Sequence, residues 1–335
     1  MKFQLKYPNA MVGERIEFEY SYVAKSASLR PCQWCGAMTR WIDVLFDVPV
    51  CGEQCGGAMW AKYRADQEAQ STYQNFEQHF EMVRKELQVA ERCPADVSKD
   101  ILIVVHDQLP YLQECVESIR QHTQNYHLYI WDNASGPETL EYINSLPDPI
   151  SLCLYSKNVG FIRPNNELVG WGNGDYIILL NSDCKVFEFW DRAMIGFLRE
   201  NPDVAQVGFW GGHMDAEGRG FGGDHGYDVD YIPGWCFCIS RTTYAQFGLF
   251  SPELQFAYCE DADLSLRLKS AGRKIYALHP ALVHHHQNAT IKEVEKEGEV
   301  DVNATFQHNH AWMRKQWSHY IEHERVLLKR KEVGK

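Results

Sequence analysis

Four groups of residues have types and spacing suited to chemistry. The run Asp175-Tyr-Ile-Ile-Leu-Leu-Asn-Ser-Asp183 is apolar and stops abruptly at Asn181-Ser182-Asp183. A carboxylate ending a buried strand can hold a hard divalent cation, and the cation can hold a diphosphate. The alternative role for Asp183 is to cap the next helix. Glu260, Asp261 and Asp263 crowd the start of a helical pattern that continues through Leu264, Leu266, Arg267 and Leu268. Acids at a helix start favour the dipole by about 0.3–1 kcal/mol each, and three are more than that requires. His284, His285 and His286 are consecutive, either a cluster of ligands or a solvated strand end. Finally, Cys32-x2-Cys35 and Cys51-x3-Cys55 are two close pairs separated by fifteen residues. That spacing suits one tetrahedral Zn²⁺ on four thiolates, with no open position and hence a structural role; four unrelated buried cysteines are the alternative.

The elements that must position these groups are legible as patterns. Four apolar residues after Tyr176 without helical spacing read as a strand buried on both faces. Ile101–Val105 ends in His106-Asp107, Leu128–Trp131 in Asp132-Asn133, and Ile150–Tyr155 runs on to Lys157-Asn158-Val159-Gly160. A helical stretch from Pro110 to His122 separates the first two. Alternating strands and helices at this spacing imply right-handed crossovers and a mostly parallel sheet. The polar strand ends then share the carboxyl edge, where open α/β sheets bind ligands.

The stretch 99–295 resembles the inverting family-2 glycosyltransferases of the GT-A fold, especially the rhamnosyl- and galactofuranosyltransferase-like branch. Five stretches carry the resemblance: Ile101–His106, Asp132-Asn133-Ala134-Ser135, Asn158-Val-Gly-Phe with Asn165-Asn166, Asn181-Ser-Asp183, and Tyr258–Arg267. The His cluster follows at the family's usual place. The resemblance implies a nucleoside-diphosphate sugar as donor and a Mn²⁺ or Mg²⁺ ion as cofactor. It implies that His106, Asp107 and Asp132 border the nucleoside, and that Asn158, Gly160 and Asn166 wrap the diphosphate. Asn181-Ser182-Asp183 matches the family's DXD motif with Asn in the first place, so Asp183 is the implied metal ligand. Counting back from Thr290 implies His285 as the added ligand, with His284 the runner-up. Asp261 matches the general base, Glu260 orients the acceptor and is the alternative base, and Gly234-Trp235 resembles the acceptor-side turn.

The remaining sequence sets the frame. The chain has 335 residues, 45% hydrophobic and 23% charged, with a formal net charge of −12. That balance argues against general adhesion to nucleic acid or anionic membrane. No apolar run approaches the roughly 20 residues needed to span a bilayer, and the N-terminus lacks a signal-peptide core. The expectation is therefore a cytoplasmic protein whose eleven cysteines are metal ligands or core residues rather than disulfides. Four parts are expected: a zinc-binding domain over 1–57, resembling a treble clef, a helical linker over 58–98, an α/β transferase-like domain over 99–295, and a helical extension over 296–335. The stretch 208–236, with seven glycines between 211 and 226, reads as a mobile loop closing over donor or acceptor. Two functions compete. One is a metal-dependent glycosyltransferase acting on a saccharide, protein or modified DNA base. The other is a zinc-finger interaction protein with a non-catalytic sugar-nucleotide domain.

Overall fold

The structure is a computed structural model that describes residues 15–17, 22–31, 38–43, 48–49, 69–215, 217–286 and 301–333. The four cysteines of the expected zinc site lie outside the described residues. Strands β1 (Arg15–Glu17), β2 (Tyr22–Pro31), β3 (Met38–Asp43) and β4 (Val48–Pro49) form a four-stranded antiparallel sheet in sequence order. Helix α1 (Ala69–Arg92) then leads to the main sheet.

That sheet starts with β5 (Lys99–Val105), followed by α2 (Leu109–His122), β6 (Tyr126–Asn133), α3 (Pro137–Ser145), β7 (Ile150–Tyr155), α4 (Ile162–Leu168) and β8 (Tyr176–Leu180). The four strands are parallel, as the strand–helix alternation predicts, and lie in the order β8-β5-β6-β7. Alternate residues of each strand face opposite layers. Ile101, Ile103 and Val105 join one apolar core with Ile178 and Leu180, while Leu102 joins a second with Ile177 and Leu179. This two-sided burial is why these runs show no polar alternation.

After β8 come β9 (Cys184–Val186), α5 (Trp190–Glu200), β10 (Val204–Gly208), β11 (Gly211–Met214), β12 (Gly220–Asp224), β13 (Cys236–Ser240), α6 (Arg241–Phe247), α7 (Glu260–Ser270), β14 (Lys274–Ala277), β15 (Val283–His285) and α8 (Val302–Val333). Strand β13 is wedged antiparallel between β8 and β10, so the sheet order is β14-β10-β13-β8-β5-β6-β7. Because β13 runs backwards, its first residue, Cys236, pairs with Leu180 at the end of β8. The residues just before β13 therefore arrive at the carboxyl edge of the parallel strands.

The glycine-rich stretch is not the bare loop its composition suggests. It contains the antiparallel hairpin β11–β12. Two of its glycines answer to packing: a Cβ on Gly212 or Gly220 would come within 2.4 or 2.7 Å of the Tyr231 ring. The described residues of the C-terminal extension form one helix, α8. Among the described residues no helix is long and apolar enough to cross a membrane, and the seven cysteines are all free thiols, five of them buried.

Candidate functional site

The carboxyl edge opens into one cavity of about 570 Å³. Its lining joins residues from every one of the sequence stretches singled out after residue 100: His106, Asn158, Gly160, Asn181, Ser182, Gly234, Trp235, Glu260, Asp261 and His285.

The first wall is the end of β8. Asp183 is 4% exposed, and its Oδ1 lies 3.1 Å from His285 Nε2. The antiparallel pair β9–β15 causes this proximity, setting His285 opposite Cys184. The side-chain amide of Asn181 lies 3.4 Å from the same imidazole nitrogen. Strand alternation turns His284 the other way, where it is exposed, and His286 pairs with Glu114 at 2.7 Å. Asp183, Cys184 and His285 offer donor atoms all within 4.8 Å of one another. Burial pushes the Cys184 thiol well above the ordinary range, and the thiol donates to the Trp235 carbonyl at 3.5 Å. The effective donors are thus one carboxylate oxygen and one imidazole nitrogen, a set that fits Mn²⁺ or Mg²⁺ and leaves positions for phosphate oxygens and water. Asp183 does not cap a helix: the chain after it continues into β9.

The second wall is the start of α7. Asp261 Oδ2 accepts the Gly234 N–H at 2.9 Å and Oδ1 accepts the Ala262 N–H at 2.7 Å. These bonds fix the carboxylate's orientation, while burial raises its pKa. Glu260 is 6% exposed, and its Oε2 has no hydrogen-bond partner. Burial, followed by the charge of Asp261, pushes the Glu260 carboxyl up to about 8. Asp263 has a different job. It is fully buried, binds Arg267 at 2.8 Å and accepts the Trp317 indole N–H at 3.0 Å. Of the three acids, that one anchors α7 to α8.

The two walls meet at Gly234-Trp235. Gly234 donates to Asp261, and the neighbouring Trp235 ring stacks on His285 with centroids 5.3 Å apart and planes 12° apart. The Trp235 carbonyl also accepts the Asn181 N–H at 2.9 Å.

The floor is built from turns. His106 Nδ1 donates to the Asn133 carbonyl at 2.8 Å. The Asn133 side chain donates to the Gly160 carbonyl and accepts the Val159 N–H, at 2.8 and 3.0 Å. Gly160 has φ 84°, and a Cβ there would fall 2.4 Å from the Phe256 carbonyl oxygen; only glycine suits this crossing. The remaining predicted residues serve the scaffold rather than the lining. Asp107 accepts the Gly136 N–H at 2.7 Å, and Asp132, 2% exposed, accepts the Ser135 N–H at 3.2 Å. Asn166 exchanges two hydrogen bonds with the Phe250 backbone, at 2.9 and 3.0 Å.

Several lining residues carry no warning in the sequence. Tyr231, Phe256, Phe306 and His310 are these, and they line the cavity beside Tyr258 of the stretch singled out above. Phe306 and His310 sit one helical turn apart on α8, so their i, i+4 spacing was the available signal.

Residues 100–235 match the family model "Glycosyl transferase family 2". The transferase-family domain has relatives among solved structures. One is a crystal structure of GalNAc-T7 with UDP, GalNAc and Mn²⁺, with TM-score 0.50 and 16% identity, covering 59% of this chain and 49% of that one. The chain thus spans about half the length of that structure. Another is the mannosyltransferase PcManGT from Pyrobaculum calidifontis in complex with GDP-Man and Mn²⁺, with TM-score 0.46 and 11% identity, covering 72% and 80% of the two chains. No curated protein matches the sequence. The likeness to GalNAc-T7 is one of fold, and the fold of the transferase-family domain is GT-A.

Proposed function

We infer that this chain transfers a sugar from a nucleoside diphosphate to an acceptor hydroxyl, with inversion, and that Asp183 and His285 hold a Mn²⁺ or Mg²⁺ ion for the purpose. The observation that carries the reading is the linkage through Gly234-Trp235. One residue grips the carboxylate of Asp261 and the next stacks on His285, so the fixed carboxylate and the imidazole that meets the buried Asp183 line one cavity. The fold match to GalNAc-T7, whose structure contains UDP, GalNAc and Mn²⁺, supports a nucleotide-sugar donor.

When bound, the ion offsets charge growing on the departing diphosphate. The protein's own contribution lies opposite. Asp261 is held by two backbone N–H groups, so its lone pairs keep one direction, and burial makes it a stronger proton acceptor than a solvated carboxylate. It takes the acceptor's hydroxyl proton as that oxygen bonds to the anomeric carbon and the sugar–phosphate bond breaks. A base across from the leaving group supports single displacement with inversion, by the in-line logic of inverting glycosidases. Glu260 orients the acceptor. His106, Asn158, Gly160, Asn181 and Ser182 form the donor side, and Asp107, Asp132 and Asn166 hold its turns. A structural Zn²⁺ on Cys32, Cys35, Cys51 and Cys55 belongs to the same proposal, as do the part boundaries 1–57, 58–98, 99–295 and 296–335.

The test is thermal shift with UDP, GDP and dTDP in Mn²⁺ or in EDTA. A donor-binding site raises Tm with at least one nucleotide, in proportion to concentration over Kd and only with the metal. Asp261→Asn keeps that shift, while sugar transfer or donor hydrolysis falls by about 10²–10⁴-fold. If no nucleoside diphosphate raises Tm in Mn²⁺, the donor reading is wrong. Unchanged turnover in Asp261→Asn removes the base assignment alone.

A further inference from the structure

Among the described residues that line the cavity there is neither lysine nor arginine. Its acids are Asp261 and Glu260, the latter pushed up to about 8 by burial and the charge of Asp261 and so protonated near pH 7, and burial lowers the His310 imidazole below its ordinary range, so that ring is neutral there too. An acceptor bearing phosphate or carboxylate near its reacting hydroxyl would enter against the Asp261 carboxylate and the Glu260 carboxyl, with no lysine or arginine among the described lining residues to meet it. Arg and Lys are the side chains suited to recognising phosphate, and none lies among the described lining residues.

The mouth of the same cavity is aromatic. Tyr258, at the edge of α7, meets Phe306 of α8 edge-to-face at 5.5 Å, and Phe306 is 39% exposed. Asn309, fully buried on the same helix, donates to the carbonyls of Gln255, Ala257 and Tyr258 at 2.8–3.0 Å and accepts the Gln255 N–H at 2.9 Å. These bonds hold the backbone at Phe256, Tyr258 and Cys259, all with positive φ (56°, 79° and 71°), a strained arrangement of the kind kept at ligand sites. Deeper in, Glu260 Oε2 is buried without a partner, an acceptor atom that a hydroxyl donor would satisfy.

Resting on the glycosyltransferase reading, we propose that the acceptor is an uncharged saccharide whose ring lies against Phe306 and Tyr258 while a hydroxyl beside the reacting one donates to Glu260 Oε2. Aromatic faces take up the apolar C–H faces of sugars, and the carboxyl oxygens of Glu260 and Asp261 accept hydrogen bonds from their hydroxyls. Phe306 is on this account a specificity-determining residue, contributed by a helix that lies outside the stretch matching the family model.

The full-length protein, loaded with Mn²⁺ and whichever of UDP, GDP or dTDP raises its Tm, is applied to an array of neutral, sialylated and phosphorylated glycans, and separately to polyprenyl-phosphate vesicles and to duplex DNA bearing hydroxymethylated bases. Binding to a subset of neutral glycans is expected. Phe306→Ala weakens that binding at least tenfold, Phe306→Tyr restores it, and both variants keep the wild-type nucleotide-induced Tm shift. In turnover, Phe306→Ala raises the acceptor KM and leaves the donor KM unchanged. Binding confined to anionic glycans, vesicles or DNA overturns the proposal, and so does binding to none of them or a neutral-glycan affinity indifferent to Phe306→Ala. Each of these leaves the donor reading standing, because the nucleotide shift is measured independently. Absence of that shift counts against the donor reading instead, and the array run with Mn²⁺ alone still decides the acceptor class.

Discussion

Glu260 and Asp261 are adjacent in the chain and have different environments. Asp261 is gripped by two backbone N–H groups, whereas Glu260 ends in an oxygen with nothing to accept from. Its folded pKa, about 8, lies above the ordinary unfolded value near 4.3. Between those values the folded protein keeps a proton that the unfolded chain has released, so this residue's contribution to stability falls as pH rises through the window. Glu260→Gln removes the effect. We expect its Tm to exceed wild type by about 2–4 °C at pH 8 and to match it at pH 4.5, with a raised acceptor KM at both. Equal Tm differences at the two pH values would refute the assignment of the proton to Glu260. At the opposite wall, His285 Nε2 and Asp183 Oδ1 lie 3.1 Å apart. His285→Ala should weaken the Mn²⁺ dependence of the nucleotide-induced Tm shift at least about tenfold, on the scale seen when metal sites lose supporting groups; titrating Mn²⁺ at fixed nucleotide measures it.

At the scale of elements, the antiparallel insertion of β13 is what delivers Gly234-Trp235 to the ends of the parallel strands. A second device is the contact of α8 with the turn before α7. Asn309 makes four hydrogen bonds to residues 255–258. That turn also supplies the Phe256 carbonyl that receives the Ile162 N–H at 3.1 Å, close to Gly160. One buried amide therefore couples the C-terminal helix to both the acid-bearing helix and the donor-side turn. Asn309→Ala leaves several buried groups unsatisfied, at about 1–3 kcal/mol for each that water cannot reach. We expect a lowered Tm and faster hydrogen exchange confined to residues 254–260 and 158–162. Exchange that quickens uniformly over the main sheet would show a general loss of stability instead.

At the scale of the whole molecule, the sheet β1–β4 and the main α/β body are separate sheets, and the cysteine pairs belong to the stretch around the first. If Cys32, Cys35, Cys51 and Cys55 hold one structural Zn²⁺, elemental analysis finds one zinc per chain, and Cys35→Ser with Cys51→Ser removes it. The nucleotide-induced Tm shift then survives, since every residue assigned to that site lies after position 100. Loss of the shift with the zinc would mean that the two parts are energetically one.

Much of this was readable in the chain itself. The parallel strands and their polar ends are local patterns, since two-sided burial demands continuous apolar runs and the run ends where the sheet meets solvent. Asp183 stood out at the end of an apolar run, while Asp261 and His285 were singled out within their clusters by the family resemblance. Three things were not readable. The glycines at 212 and 220 suggested mobility, but they make room for the Tyr231 ring. Asp263 was grouped with its neighbours, but it serves Arg267 and Trp317. Phe306 and His310 of a polar-looking helix line the site. Each depends on contacts between residues far apart in sequence, and no local period records such a contact. Covalent order and hydrophobic spacing determine which segments form strands and helices. Only the reversed β13, the β9–β15 pairing and the docking of α8 decided which of their side chains face one another, because those choices are made by packing between segments and not within them.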